Sequence, residues 1–178
     1  DEVNELMHLL RLYLRGETAE LARNNVRLRV IGDRTPFADD IVELIENAES
    51  LTVGNTGLNL TIALNYGGRH DILQAAANWA KMCQEKGLAP DVHNAETYFP
   101  GFLMTHDLPD PDILIRTSGE ERISNFLLWQ CAYSELVFTP TLWPDFTASD
   151  LEAAIEIYKG RDRRFGGISE KKEDEFRS

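Results

Sequence analysis

Basic residues are scarce in this chain. Against 30 aspartates and glutamates stand only 18 lysines and arginines in 178 residues, a formal net charge of −12. A long polyanion needs a basic face from which to release counterions, so nucleic acid is excluded as the main partner, and an anionic ligand has to be small and met locally. Cysteine is nearly absent: Cys83 and Cys131 lack metal-ligand spacing and sit in apolar helical patterns, as reduced core cysteines do, which leads us to expect a cytoplasmic setting. No apolar run approaches the ~18 residues that span a bilayer, and no signal-like segment opens the chain, so we expect a soluble protein able to visit a membrane surface. The four histidines, His8, His70, His93 and His106, have neither ligand spacing nor an evident nucleophile partner. Repeats, low-complexity runs and linkers are also missing, and the length suits one domain, expected over 1–167 with a polar tail over 168–178.

What is present is a regular alternation of strand and helix patterns. Val3, Leu6, Met7, Leu10, Tyr13 and Leu14 recur at helical spacing, while Leu9 and Leu12 widen the stripe beyond one packed face. Gly16 predicts the end of that helix, and a second helical piece is expected from about 17 to 24. Val26, Leu28 and Val30 alternate with Arg27 and Arg29 as in a half-buried strand, and Thr35-Pro36 predicts the next helix start, with Phe37, Ile41, Leu44, Ile45 and Ala48 as its buried stripe. Residues 58–65 predict a second strand running into Tyr66-Gly67-Gly68. A helix through Ile72, Ala75, Trp79 and Cys83 follows, stopped by Gly87. After a loop with four prolines, strands are expected at 113–115 and 136–138. Helices are expected through Phe126, Leu127 and Cys131 and over 147–158. The expected class is α/β, with a mainly parallel central sheet and helices on both faces.

The polar chemistry concentrates in "RTSGEERIS", residues 116–124, at the carboxyl end of the third strand, where ligands of open α/β sheets bind. Arg116 and Arg122 lie six residues apart across a turn that Gly119 permits, and Ser124 and Asn125 stand where the next helix is expected to begin. Two guanidinium forks can converge there on one diphosphate. The residues alone equally allow Arg116 and Arg122 to pair with Glu120 and Glu121 in a surface loop. Glu135 is either a magnesium ligand or a plain surface charge. The stretch 65–69 either borders the same cleft or is turn chemistry alone.

Three stretches decide between these readings: "LNLTIALNYGGRHDI", "DILIRTSGEERISNFLLWQCAYSELVFTPTLWPDF" and "RDRRFGG" closely resemble the cis-prenyltransferase family, bacterial undecaprenyl diphosphate synthases in particular, and the resemblance reaches to about Gly167. It implies a homodimeric enzyme that condenses isopentenyl diphosphate repeatedly onto an allylic diphosphate, commonly farnesyl diphosphate, with magnesium. It also implies that Arg116, Arg122, Ile123 and Ser124 bind isopentenyl diphosphate and that Glu135 binds magnesium. Arg164 and Gly166, of an Arg-x-Gly element, would reach across the dimer to a diphosphate in the partner's site. The apolar first helix would border the tunnel for the growing chain, and the lipid product would pass to the membrane.

Two family signatures, Asp-Gly-Asn-x-Arg-Trp and Ser-x-x-Asn-Trp-x-Arg, occur nowhere in these residues. The resemblance therefore places the first strand and its catalytic aspartate before Asp1, assigns no catalytic residue to this segment, and leads us to expect the segment to be inactive alone. A non-catalytic accessory subunit that dimerises and lends its Arg-x-Gly element is the alternative. Glu121 departs from the family pattern and would oppose a diphosphate unless it points away.

Overall fold

The computed structural model describes residues 2–161. The described residues form two compact units, the first built from residues 2–109 together with Ser124–Trp129, the second from Asp110–Ile123 and residues 130–161.

In the first unit the order is α1 (Glu2–Arg23), β1 (Arg27–Ile31), α2 (Asp39–Thr52), β2 (Asn59–Ala63), α3 (Gly68–Lys86) and α4 (Val92–Tyr98), the last continued by a 3-10 turn, Phe99–Phe102. β1 and β2 pair in parallel, with Leu28 opposite Leu60 and Val30 opposite Ile62. The strict alternation of β1 decides what each face does. Leu28 and Val30 are buried with Leu14, Ile41, Ile45 and Ala48 under α1 and α2. Arg27 and Arg29 take the other face, beside Asn59 and Thr61.

The edge of β1 away from β2 is closed by side chains of α2. Buried Thr52 accepts the Leu28 N–H at 3.0 Å and donates to Ala48 O at 2.9 Å, and Glu49 accepts the Val30 N–H at 2.8 Å. Arg34 donates to Val30 O and pairs with Glu49, so both backbone groups of Val30 are satisfied. Among the described residues β2 pairs with β1 alone. A second, smaller cluster packs Ala75 of α3 against Phe99 and Leu103.

The second unit holds β3 (Ile113–Arg116), β4 (Glu135–Phe138) and α5 (Ala148–Lys159). Its strands are also parallel, Ile113 opposite Glu135 and Arg116 opposite Phe138. Leu114, Cys131, Val137 and Ala154 are its buried apolar residues. Asp150 accepts both the Thr147 N–H, at 2.8 Å, and the Thr147 hydroxyl, at 2.6 Å, which fixes the start of α5 where the sequence places a capped helix.

Parallel strands alternating with helices agree with the expected α/β class. Four local expectations do not hold. α1 runs unbroken through Gly16, because its flanks are good helix formers and Leu14 and Leu21 both anchor to the α2 core, which outweighs the ~1 kcal/mol a helical glycine costs. α2 begins at Asp39 rather than Thr35, since Asp33 draws the Thr35 N–H into a turn at 2.9 Å. The proline-bearing loop contains α4, capped by Asp91, which accepts the Asn94 N–H at 2.8 Å. No helix forms through Phe126, Leu127 and Cys131. Residues 124–133 are turns and bends, with Ser124, Asn125 and Leu127 at φ of 45°, 63° and 44°. Successive left-handed residues cannot propagate an α-helix.

No helix among the described residues is long and apolar enough to cross a membrane. Both cysteines are free and buried, as expected. The apolar surplus of α1 is real: Val3, Leu6, Leu9 and Leu12 are each more than half exposed, while Met7, Leu10 and Leu14 face the core. Arg11 clips α1 to α2 through a two-pronged contact with Asp40 at 2.6 and 2.9 Å, and that guanidinium holds the Asp40 carboxyl below its usual range.

Candidate active site

β3 ends at Arg116, and the loop after it is tied back to the residues that follow β4. Thr139 N–H donates to Arg116 O, Ser118 N–H to Thr141 O and Gly119 N–H to Thr139 O, all within 2.8–2.9 Å. Ser118 and Gly119 both sit in the left-handed region, at φ of 69° and 68°, so the turn reverses within two residues. That reversal brings the two arginines together: Arg116 Nη1 donates to the carbonyl of Arg122 at 2.5 Å. Arg122 pairs with Glu120, one of the carboxylates expected to compete for it, and Glu121 is exposed. Ile123 follows half-buried. The loop thus offers two guanidinium groups and an apolar neighbour from a single tight turn.

Ser124 belongs to the first unit, where its surroundings differ from the expected helix start. The helix N-terminus present there is that of α3. Gly67 occupies its N-cap position without a side chain to offer, and the cap comes from Asn125. The Gly68 N–H donates to Asn125 O at 2.6 Å and the Arg69 N–H to Asn125 Oδ1 at 2.9 Å. Behind this joint, Tyr66 lies edge-on to Phe126 with ring centroids 5.9 Å apart, and its hydroxyl donates to Asp71 Oδ2 at 2.9 Å. Asp71 is 1% exposed and also accepts the Met104 N–H at 2.9 Å. The stretch 65–69 is therefore more than a turn: it is the receiving half of a joint with residues 124–126.

Glu135 opens β4. In register it stands opposite Ile113, so it marks the end of the strand pair remote from Arg116, about 10 Å away at the usual rise of a strand. Its carboxylate pairs with Arg161 at 2.7 Å. Among the described residues no group of three His, Cys, Asp or Glu side chains is gathered to hold a metal ion. Glu135 fits magnesium as a single protein ligand completed by phosphate oxygens and water, a mode that ion commonly uses. Arg164 and Gly166 lie outside the described residues.

Three contributors escaped the sequence reading: Asn125 as a cap, Asp71 as a buried tie and Arg161 as the partner of Glu135. Only the first left a trace, a helix opening on two glycines with no capping side chain of its own.

The family model described as "Putative undecaprenyl diphosphate synthase" matches residues 1–166. An isoprenyl transferase of Brucella suis biovar 1 is 52% identical over 167 residues, 94% of this chain and 65% of the relative. The Escherichia coli K12 protein named ditrans,polycis-undecaprenyl-diphosphate synthase ((2E,6E)-farnesyl-diphosphate specific) is 50% identical over 166 residues, 93% of this chain and 65% of its own length. The chain thus spans a little under two thirds of these curated relatives. Among solved structures, lavandulyl diphosphate synthase from Lavandula x intermedia, in complex with dimethylallyl diphosphate, superposes with a TM-score of 0.86 at 38% identity, covering 93% of this chain and 71% of that one. A probable undecaprenyl diphosphate synthase from Campylobacter jejuni gives 0.78 at 35% identity, with 93% and 75% covered. The parallel α/β fold agrees and the match takes in every described residue, and the chain belongs to the undecaprenyl diphosphate synthase family of prenyltransferases.

Proposed function

We propose that this chain carries the isopentenyl diphosphate part of a cis-prenyl chain-elongating active site, which adds isopentenyl diphosphate repeatedly to an allylic diphosphate and yields a long-chain polyprenyl diphosphate of undecaprenyl type. Farnesyl diphosphate is the proposed starter, because the name of the Escherichia coli relative specifies it. The observation that carries the reading is the turn after β3, which holds Arg116 against the carbonyl of Arg122 and so draws two guanidinium-bearing residues to one strand end.

In each cycle the allylic carbon–oxygen bond breaks and diphosphate leaves with the bonding pair. The isopentenyl double bond attacks that carbon, and a proton departs from the lengthened chain. The incoming isopentenyl diphosphate has to be gripped by its charged end so that its double bond waits beside the electrophilic carbon. Arg116 and Arg122 supply forked donors matched to phosphate oxygens, and Ser124 adds a hydroxyl. A diphosphate would displace Glu120 from Arg122 at small cost, since exposed ion pairs contribute only about 0–1 kcal/mol. Ile123, between Arg122 and Ser124 in sequence, would add an apolar neighbour.

Magnesium, held in part by Glu135, would neutralise charge on diphosphate oxygens. The exposed leucines of α1 suit a long apolar product that has to stay out of water. A homodimer in which Arg164 and Gly166 reach the partner's diphosphate, working in the cytoplasm and passing its lipid to the membrane, completes the proposal.

The test uses the protein as encoded, with whatever residues flank this chain. Incubation with farnesyl diphosphate, labelled isopentenyl diphosphate, magnesium and detergent should give labelled, solvent-extractable long-chain product. Folded protein that leaves the starter unextended overturns the reading.

A further inference from the structure

The joint between α3 and residues 124–128 points to a residue that works on the substrate site without touching the substrate. We propose that Asn125 is a positioning residue for the isopentenyl diphosphate site, one that locks Ser124 in place by capping α3 from 56 residues away in sequence. The inference rests on the functional reading above and deepens it.

Asn125 makes two contacts of different kind with consecutive amides. Its backbone carbonyl takes the Gly68 N–H at 2.6 Å, and its side-chain oxygen takes the Arg69 N–H at 2.9 Å. These are among the first amides of α3, which have no partner inside the helix. Satisfying both from one residue fixes the position and the orientation of that residue.

The receiving surface is shaped to admit this contact and nothing bulkier. Gly67 has φ of −144°, which any residue adopts, so its glycine is not needed for backbone freedom. It is needed for space, because a Cβ there would stand 2.8 Å from Asn125 Nδ2. A Cβ on Gly68 would meet Leu128 N at 3.0 Å and Asn125 O at 3.1 Å. Two adjacent glycines leave room for one asparagine.

On the other side of the joint, Ser124, Asn125 and Leu127 are all left-handed. Side chains other than glycine avoid that region, and asparagine tolerates it better than most. A serine held there has to be kept there by its surroundings. Asn125 is its immediate neighbour and its tie to a 19-residue helix. Loss of the cap removes one of the contacts that hold the left-handed backbone at 124–125, so the Ser124 hydroxyl is less firmly placed.

The test compares Asn125→Ala and Asn125→Gly in the full protein, with steady-state KM measured separately for isopentenyl and allylic diphosphates. Alanine loses the side-chain acceptor and is strained at positive φ, so the isopentenyl diphosphate KM should rise about tenfold while the allylic KM changes less than about twofold. Glycine keeps the left-handed backbone and its carbonyl bond to Gly68, and it should recover most of that loss. A merely structural defect would move both KM values or the amount of active enzyme instead. If alanine prevents folding, glycine carries the comparison with a rise of about twofold to fivefold, confined to isopentenyl diphosphate. An active parent whose folded Asn125 variants keep the parental isopentenyl diphosphate KM, or raise both KM values together, overturns the assignment alone. An inactive parent overturns the functional reading and the assignment with it.

Discussion

Around Ile45 the chain is held by shape: its neighbours in the α1, α2 and β1 cluster are apolar and recur at helical or strand spacing. Around Arg122 it is held by single polar contacts, Arg116 to a carbonyl, Arg122 to Glu120, and two left-handed residues between them. The first region tolerates approximate chemistry and needs close volume. The second is exposed, contributes little burial and needs particular atoms in particular places. Under the proposed function, stability and substrate binding are carried by different residues, and substitutions should separate them.

The largest effect belongs to the first region. Ile45 is fully buried, so Ile45→Ala should lower unfolding free energy by about 2–5 kcal/mol through lost burial and the cavity left behind. The denaturant midpoint reads it. Among molecules that remain folded, the isopentenyl diphosphate KM should stay near the parental value; a large change there would mean that the two regions are not separable.

Arg122→Ala is the reciprocal break. A charge-assisted contact is worth on the order of 1.5–3 kcal/mol, so the isopentenyl diphosphate KM should rise roughly tenfold to a hundredfold. Arg122 is exposed and its pair with Glu120 is a surface contact, so the thermal midpoint should barely move. An unchanged KM would show that this arginine does not meet the substrate, and the loop would revert to a surface ion pair.

The same division explains what the sequence made legible. β1, α2, α3 with its Gly87 stop, and α5 with its Thr147 start follow from periodicity and end signals, because a buried stripe has to be written into the residues that form it. Spacing and the intervening glycine allow Arg116 to meet Arg122, and equally allow the Arg122–Glu120 pair; the structure contains both contacts. The apolar run Phe126, Leu127, Leu128 and Trp129 misled, since it looks helical but is spent on separate contacts, Phe126 on Tyr66 and Trp129 on Phe99. No local pattern announces that Asn125 caps a helix 56 residues away, or that Arg161 meets Glu135. Such contacts exist only once the fold has brought distant segments together.

A polar contact inside the core tests whether the division is by place or by chemistry. Thr52 is fully buried, and its hydroxyl accepts the Leu28 N–H that β2 cannot reach. Thr52→Val keeps the shape and strands that amide, at a cost of about 1–3 kcal/mol. Thr52→Ser, which keeps the hydroxyl, should lose less in the same denaturation experiment. If valine is as stable as threonine, the strand edge is satisfied some other way and packing alone holds β1 to α2.

The smallest effect concerns Arg161. Its pair with Glu135 joins side chains that are 40% and 25% exposed, so Arg161→Ala should change stability by only about 0–1 kcal/mol. Its consequence for the proposed magnesium ligand has a definite sign. While Arg161 occupies the carboxylate, a metal has to displace it, so removing the guanidinium should strengthen metal binding by up to about fivefold. Magnesium titration of the full protein with isopentenyl diphosphate present, followed by calorimetry as well as by activity, reads this directly. Weaker binding would mean instead that Arg161 orients Glu135 for the metal, and the pair would then belong to the site rather than compete with it.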